Sequence, residues 1–233
     1  MKFTYEKDLC QKTFSLKNYV EQTLKGRITG MMNRKSHWEE VYSTKATNAV
    51  SWYQEHSELS LKLIHQTELP KTVSIIDVGG GASSLVDDLV KLGYSDISVL
   101  DISKAALDVA KSRVQSEDID WIEGDITQID LPENRYDIWH DRAVFHFLTT
   151  SEDRQKYAAL LKKTLRTNGH VIMATFSETG PERCSGLEVR RYSAEKLQEE
   201  LGKDFKLINY QVETHKTPFN TEQNFIYCHF QKQ

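Results

Sequence analysis

The chain has 233 residues, 39 % of them hydrophobic and 27 % charged, with a formal net charge of −4. That length suits one domain that buries its core without disulfide or metal staples. The acidic balance excludes broad nucleic-acid binding, which needs a concentrated positive footprint, and apolar runs of only a few residues exclude a membrane span.

Residues 1–35 read as a partly helical N-terminal extension, and residues 36–233 as one α/β domain. Within residues 1–36, eight Lys or Arg stand against three acids, so the extension is locally basic. It has no apolar core of the signal-peptide kind, and Cys10, Cys184 and Cys228 form no CxxC pair. Both features fit a reducing, cytoplasmic setting.

Two helices, Ser36–Ser43 and Ser57–Leu69, are expected ahead of the first strand as a lid. β-rich runs then recur at Val73–Val78, Ile97–Asp101, Ile119–Glu123, Tyr136–His140 and His170–Phe176. Between them, Ser84–Leu92, Lys104–Gln115 and Ser151–Leu165 carry helical spacing. Strands alternating with helices predict a three-layer, doubly wound parallel sheet. After Gly180-Pro181 the rhythm changes: a helix at Ser193–Leu201, then strands Phe205–Glu213 and Asn224–Phe230 with no helix between them. Those two should pair antiparallel, giving seven strands, six parallel and the last reversed.

Three signals mark the C-terminal ends of consecutive strands, where such sheets bind ligands. First, Ile75-Ile76-Asp77-Val78-Gly79-Gly80-Gly81 is a buried strand running into a glycine bend before a helix start, where backbone approaches a ligand closely and free amides favour an anion. Second, Asp101 in Val99-Leu100-Asp101-Ile102-Ser103 stands twenty residues beyond Gly81, the spacing at which an acid reaches the hydroxyls of a ribose. Ser103 is the better N-cap of the next helix. Third, Asp125 in Glu123-Gly124-Asp125-Ile126 is placed either to accept from an exocyclic adenine amine, with Ile126 on the ring, or to close an Asx turn.

The order Asp77-x-Gly79-x-Gly81, Asp101, Asp125-Ile126 and Tyr136-Asp137-Ile138-Trp139-His140-Asp141 resembles the motif series of Rossmann-like S-adenosylmethionine-dependent methyltransferases, from about Trp38 to the C-terminus. The resemblance implies a methyl-donor site in which Asp77 helps hold the methionine amine, Gly79 and Gly81 border the methionine with Gly80 between them, Asp101 and its neighbour Ile102 meet the ribose, and Asp125 and Ile126 hold the adenine. It also implies that a helix bearing Trp38 and Tyr42 closes over the donor. A dehydrogenase reading is weaker, since a third glycine is wanted where Ser84 stands, and no glycine bend continues into the Gly-Lys-Ser or Gly-Lys-Thr of a P-loop.

On the acceptor side, His140, Asp141 and His146 at the fourth strand's end are the expected catalytic group, with Arg190, Arg191 and His215 as substrate-binding candidates. No residue spacing suggests a metal site. Three activities remain: transfer to a small molecule, which the short predicted insertions favour; transfer to a protein lysine; and cofactor binding without catalysis. Oligomeric state is not legible in the pattern.

Overall fold

Asp77 sits in a strand whose five residues are all buried, the signature of the middle of a parallel sheet covered on both faces. The computed structural model describes residues 34–114, 116 and 118–233. The expectations for residues 1–33, Cys10 among them, lie outside the described residues. The described chain runs α1 (residues 34–44), α2 (Glu58–His65), β1 (Ser74–Val78), α3 (Leu85–Lys91), β2 (Asp96–Asp101), α4 (Lys104–Val114), β3 (Ile119–Glu123), β4 (Tyr136–Arg142), α5 (Ser151–Thr164), β5 (Leu165–Phe176), β6 (Arg183–Cys184), β7 (Leu187–Glu188), α6 (Ala194–Leu201), β8 (Phe205–Lys216) and β9 (Glu222–Lys232).

The large sheet has the order β3-β2-β1-β4-β5-β9-β8. Strands β1 to β5 pair in parallel, β9 runs against β5, and β8 runs against β9. Six strands therefore point one way and the last is reversed, as the sequence predicts. The period-2 alternation of side chains splits the core in two. Ile76 and Val78 join Trp139, Tyr157, Leu161 and Met173 on one face, whereas Ile75 joins Leu85, Leu89, Val99, Ile138 and Ile172 on the other.

Strand order reverses between β1 and β4, because β2 and β3 lie to one side of β1 while β4 and β5 lie to the other. The loops leaving β1 and β4 diverge there and open a crevice beyond the strand tips. Helix starts are fixed by local capping: Thr150 Oγ1 accepts from Asp153 N at 3.2 Å and Ser193 Oγ from Lys196 N at 3.3 Å.

Several boundaries differ from expectation: β4 runs on to Arg142, β5 begins at Leu165 and β9 spans Glu222–Lys232. Helix α2 stops at His65 because the chain turns through Glu68, whose φ is 57°. Strand β8 runs on to Lys216 because β9 pairs with it up to the Lys216–Glu222 register. The loop after β5 contains a hairpin, β6–β7, turning at Ser185 (φ 49°) and Gly186 (φ 78°), the positive-φ pair that a tight hairpin turn requires.

Candidate functional site

Three carboxylates line the crevice at the ends of neighbouring strands, Asp77 and Asp101 buried and Asp125 half-buried; backbone amides hold Asp101 and Asp125, and the His140 side chain holds Asp77. At the tip of β1, Gly79 has φ 72°, and a Cβ there would lie 2.0 Å from Val144 Cγ2. A Cβ on Gly81 would come within 2.5 Å of Asp101 Oδ2. The bend is thus glycine because protein atoms, including the site's own acid, crowd it.

Asp101, at the tip of β2, accepts from Ser103 N at 2.8 Å through Oδ1 and from Gly81 N at 3.1 Å through Oδ2. A carboxylate has about four acceptor positions, so the acid that ties the glycine bend to the β2–α4 turn keeps capacity for a ligand's hydroxyls. Burial pushes its pKa up to about 7 against the pull of those two amides. Ser103 is the cap expected of it: its Oγ accepts from Ala106 N at 3.2 Å.

Asp125, beyond β3, closes the Asx turn weighed for it and still keeps one oxygen over. Its Oδ1 accepts from Thr127 N at 2.9 Å and Thr127 Oγ1 at 2.8 Å, closing the Asx turn, while Oδ2 is buried without a partner. Asp77 is divided in the same way. Its Oδ1 lies 2.7 Å from His140 Nδ1, His140 Nε2 lies 2.8 Å from Ser60 Oγ on α2, and Asp77 Oδ2 is buried and unpartnered.

A roof covers these tips. Helix α1 is held down by Glu39, whose carboxylate accepts from Lys104 N at 2.7 Å, Ala105 N at 3.1 Å and Ser103 Oγ at 3.2 Å, the free donors at the start of α4. Arg34 bonds Asp153 on α5 at 3.2 Å, and Lys35 pairs with Glu123. Under the helix, Trp38 meets Phe147 and Trp52 edge-on, with ring centroids 5.1 and 5.7 Å apart, and Tyr42 lies 6.3 Å from Trp52. Such pairs contribute about 0.5–1.5 kcal/mol each beyond their buried area. Burial raises the Tyr42 phenol far above its ordinary value, so it stays protonated.

One half of the crevice is lined by Trp38, Tyr42, Gly79, Asp101, Ile102, Asp125 and Ile126, together with Trp52, Arg142, Phe147 and Cys184. The adjoining half is lined by Asp77, Gly80, His140, Gln54 and Ser57, with Tyr42, Trp52, Gly79 and Arg142 shared between the two.

Of the expected acceptor-side residues only His140 lines the crevice. His140 reaches the crevice only behind Asp77. Asp141 is fully buried, its Oδ1 accepting from Val144 N and Phe145 N at 3.0 and 3.3 Å and its Oδ2 from Tyr157 OH at 2.6 Å; it shapes the loop and lines neither half. His146 is packed against Phe176 and accepts from Phe176 N at 3.3 Å; burial pushes its pKa down to about 3, so it is neutral. Arg190 bonds Tyr192 OH and Glu200, Arg191 bonds Glu182, and His215 bonds the Ser51 carbonyl at 2.9 Å. These three lie outside both halves, because the β6–β7 hairpin and the long β8–β9 ribbon carry their loops past the crevice. Sequence reasoning did not single out Trp52, Phe147, Arg142, Glu39 or Cys184. Only Phe147 and Arg142 had a local pointer, their place at or soon after the end of β4.

Two buried carboxylate oxygens without partners, Asp77 Oδ2 and Asp125 Oδ2, stand on either side of Asp101 in strand order β3-β2-β1. That donor-seeking set suits a ligand with a cationic amine, a ribose and an amino-purine, which is the make-up of S-adenosylmethionine. Residues 76–173 match the family model described as a methyltransferase domain, a span holding the glycine bend, all three acids and β4. That span is therefore a methyltransferase domain, set in a Rossmann-like fold whose site suits S-adenosylmethionine.

Among relatives, the human protein named EEF1A lysine methyltransferase 2 is 20 % identical over 173 residues, 67 % of this chain and 73 % of its own length. The mouse eEF1A lysine and N-terminal methyltransferase is 27 % identical over 119 residues, 50 % of this chain, which spans only 17 % of that larger protein. In fold the chain resembles the Burkholderia thailandensis 1,6-didemethyltoxoflavin-N1-methyltransferase, solved with its substrate and S-adenosylhomocysteine: TM-score 0.62 at 15 % identity, covering 93 % of this chain and 90 % of that one. Among the described residues, no helix is long and apolar enough to cross a membrane.

Proposed function

We propose that the protein methylates a small organic acceptor, with Asp77, the Gly79–Gly81 bend, Asp101, Ile102, Asp125 and Ile126 holding the donor beneath Trp38 and Tyr42. S-adenosylmethionine, when bound, supplies a methyl group on a positively charged sulfur, so transfer is a displacement that needs alignment and dryness more than covalent help. Asp77 Oδ2 and Asp125 Oδ2 offer free acceptors for the donor's two amines. His140 acts one step back, fixing which Asp77 oxygen is spent and which is free. The aromatic roof excludes water.

One observation carries the choice of acceptor: among the described residues lining the half of the crevice around Asp101 and Asp125, those two acids apart, none is a carboxylate or an imidazole. Its charged or titratable side chains are Arg34, which is paired with Asp153, Arg142, a protonated Tyr42 and a Cys184 thiol that burial pushes up to about 12. A lysine ammonium must lose a proton before it attacks, whereas a carboxylate or a thiolate needs no base. The relatives named for lysine methylation favour a protein acceptor instead. Incubating the protein with radiolabelled donor, once with lysate protein and once with a filtered metabolite pool, separates the two. Label confined to small molecules is expected; label on a protein band overturns the small-molecule reading.

A further inference from the structure

Arg142, the last residue of β4, touches no carboxylate directly; the acid behind its contacts, Glu213, is reached only through Tyr227, which bonds both. Every other described arginine is paired with a carboxylate except Arg183, which is exposed and bonds the Gly186 carbonyl. Arg142 has no carboxylate partner among the described residues, although its guanidinium is inside the protein. Nε donates to Tyr227 OH at 2.8 Å, Nη1 donates to the Trp52 carbonyl at 3.0 Å, and the plane lies 4.6 Å from the centroid of Phe225. Nη2 is buried and has no partner.

These contacts fix the group firmly on one edge and leave the other open. A buried guanidinium normally answers its charge with an anion, because an unpaired charge in an apolar setting is strongly disfavoured. Arg142 also lines both halves of the crevice, beside Trp52, Phe147 and Cys184 and apart from the Asp77–Asp101–Asp125 row. Its anchors lie outside that row: Trp52 lines both halves of the crevice, and Tyr227 of β9 is fully buried behind it. The residue after it, Ala143, holds φ 69°, an uncommon conformation without glycine, kept by an Ala143 N to Ala174 O bond of 2.9 Å. Strand β4 is thereby turned aside immediately past the guanidinium.

We infer that Arg142 is the anion-binding point of the acceptor pocket, taking the carboxylate of an acceptor whose apolar body lies among Trp38, Trp52 and Phe147. This rests on the small-molecule reading above. Guanidinium suits the task because its planar N–H fork matches a carboxylate and its charge does not titrate away.

The test uses Arg142→Met and Arg142→Lys in the full chain, with calorimetry of S-adenosylhomocysteine, of 5′-methylthioadenosine, and of benzoate and phenylacetate added to protein saturated with S-adenosylhomocysteine. The loaded wild type should bind at least one of the two carboxylates. Arg142→Met should weaken that binding by about tenfold to a hundredfold, and Arg142→Lys, which keeps charge without the fork, by less. Affinity for S-adenosylhomocysteine should stay within about twofold in both, which also reports that the variants fold. Weaker S-adenosylhomocysteine binding with unchanged 5′-methylthioadenosine binding overturns the inference, since Arg142 would then hold the donor's own carboxylate. Failure of both carboxylates to bind the loaded wild type overturns it as well. Label on a protein band while these carboxylates still compete for Arg142 would sink the small-molecule reading and leave the anion site standing.

Discussion

The floor of the crevice and its roof are built in opposite ways. On the floor, an acid at a strand tip is held by amides close by in sequence or one strand away: Asp125 by Thr127, and Asp101 by Ser103 and Gly81. In the roof and outer wall, the contacts join distant stretches of chain. Glu39 caps α4 at Lys104 and Ala105, Trp38 packs on Phe147, and Arg142 reaches the Trp52 carbonyl and Tyr227. The floor is therefore set as soon as the parallel strands align, while the roof depends on the docking of α1 and the segment around Trp52. The lesson is that the three-acid floor is local and stiff here, whereas its cover is long-range and separable from it.

The largest effect that breaks this contrast falls on the floor. Asp101→Ala removes a buried acceptor and frees the Gly81 and Ser103 amides, so affinity for S-adenosylhomocysteine in calorimetry should drop about tenfold to a hundredfold. Wild-type affinity should also depend on pH, because burial pushes Asp101 up to about 7 in the free protein. Below that pH the protonated carboxyl surrenders acceptor capacity, so binding weakens as pH falls from 8 to 6, and Asp101→Asn should flatten the curve. Stability of the free protein moves the other way. The unfolded chain releases this proton near the ordinary carboxylate value while the folded chain keeps it, so the group's contribution to stability is lost as pH rises toward 7. A smaller effect falls on the roof. Glu39→Ala strips the α4 amides of their cap, for about 0.5–2 kcal/mol, and should lower donor affinity by several-fold. Hydrogen exchange should rise in residues 34–44 and at the start of α4 while β1 and β2 remain protected; equal protection throughout would show that α1 is not latched by Glu39.

The same division explains what was legible in the sequence. The sheet and its reversed last strand follow from periodicity, because β1, β2 and β4 are buried on both faces and read as apolar runs. Asp77, Asp101 and Asp125 follow from spacing, because a strand tip fixes where its next few residues lie. The acceptor side does not. His140 and His146 are adjacent to the crevice along the chain, yet the strand's alternation and the loop's packing turn His140 behind Asp77 and His146 into the aromatic core. Glu39 and Arg142 owe their places to partners 64 to 90 residues away, Trp52 among them, which no local pattern encodes. The Asx turn at Asp125 shows that two competing local readings need not exclude each other, since a carboxylate has two oxygens and the turn uses only one of them.

The smallest expected effect sharpens the boundary of the site. Arg191 bonds Glu182 at 2.9 Å and the Gly180 carbonyl at 3.3 Å, its side chain is 36 % exposed, and it lines neither half of the crevice. A single exposed ion pair contributes about 0–1 kcal/mol, because water already screens both charges and fixing two long side chains costs entropy. Arg191→Ala should accordingly shift the thermal midpoint only slightly and leave donor affinity and methyl transfer unchanged. A large fall in transfer at unchanged donor affinity would place the acceptor on the far side of the β6–β7 hairpin, where its carboxylate would meet Arg191 and not Arg142. The wall between Trp52 and Cys184 would then be the back of the donor site instead of the front of the acceptor's.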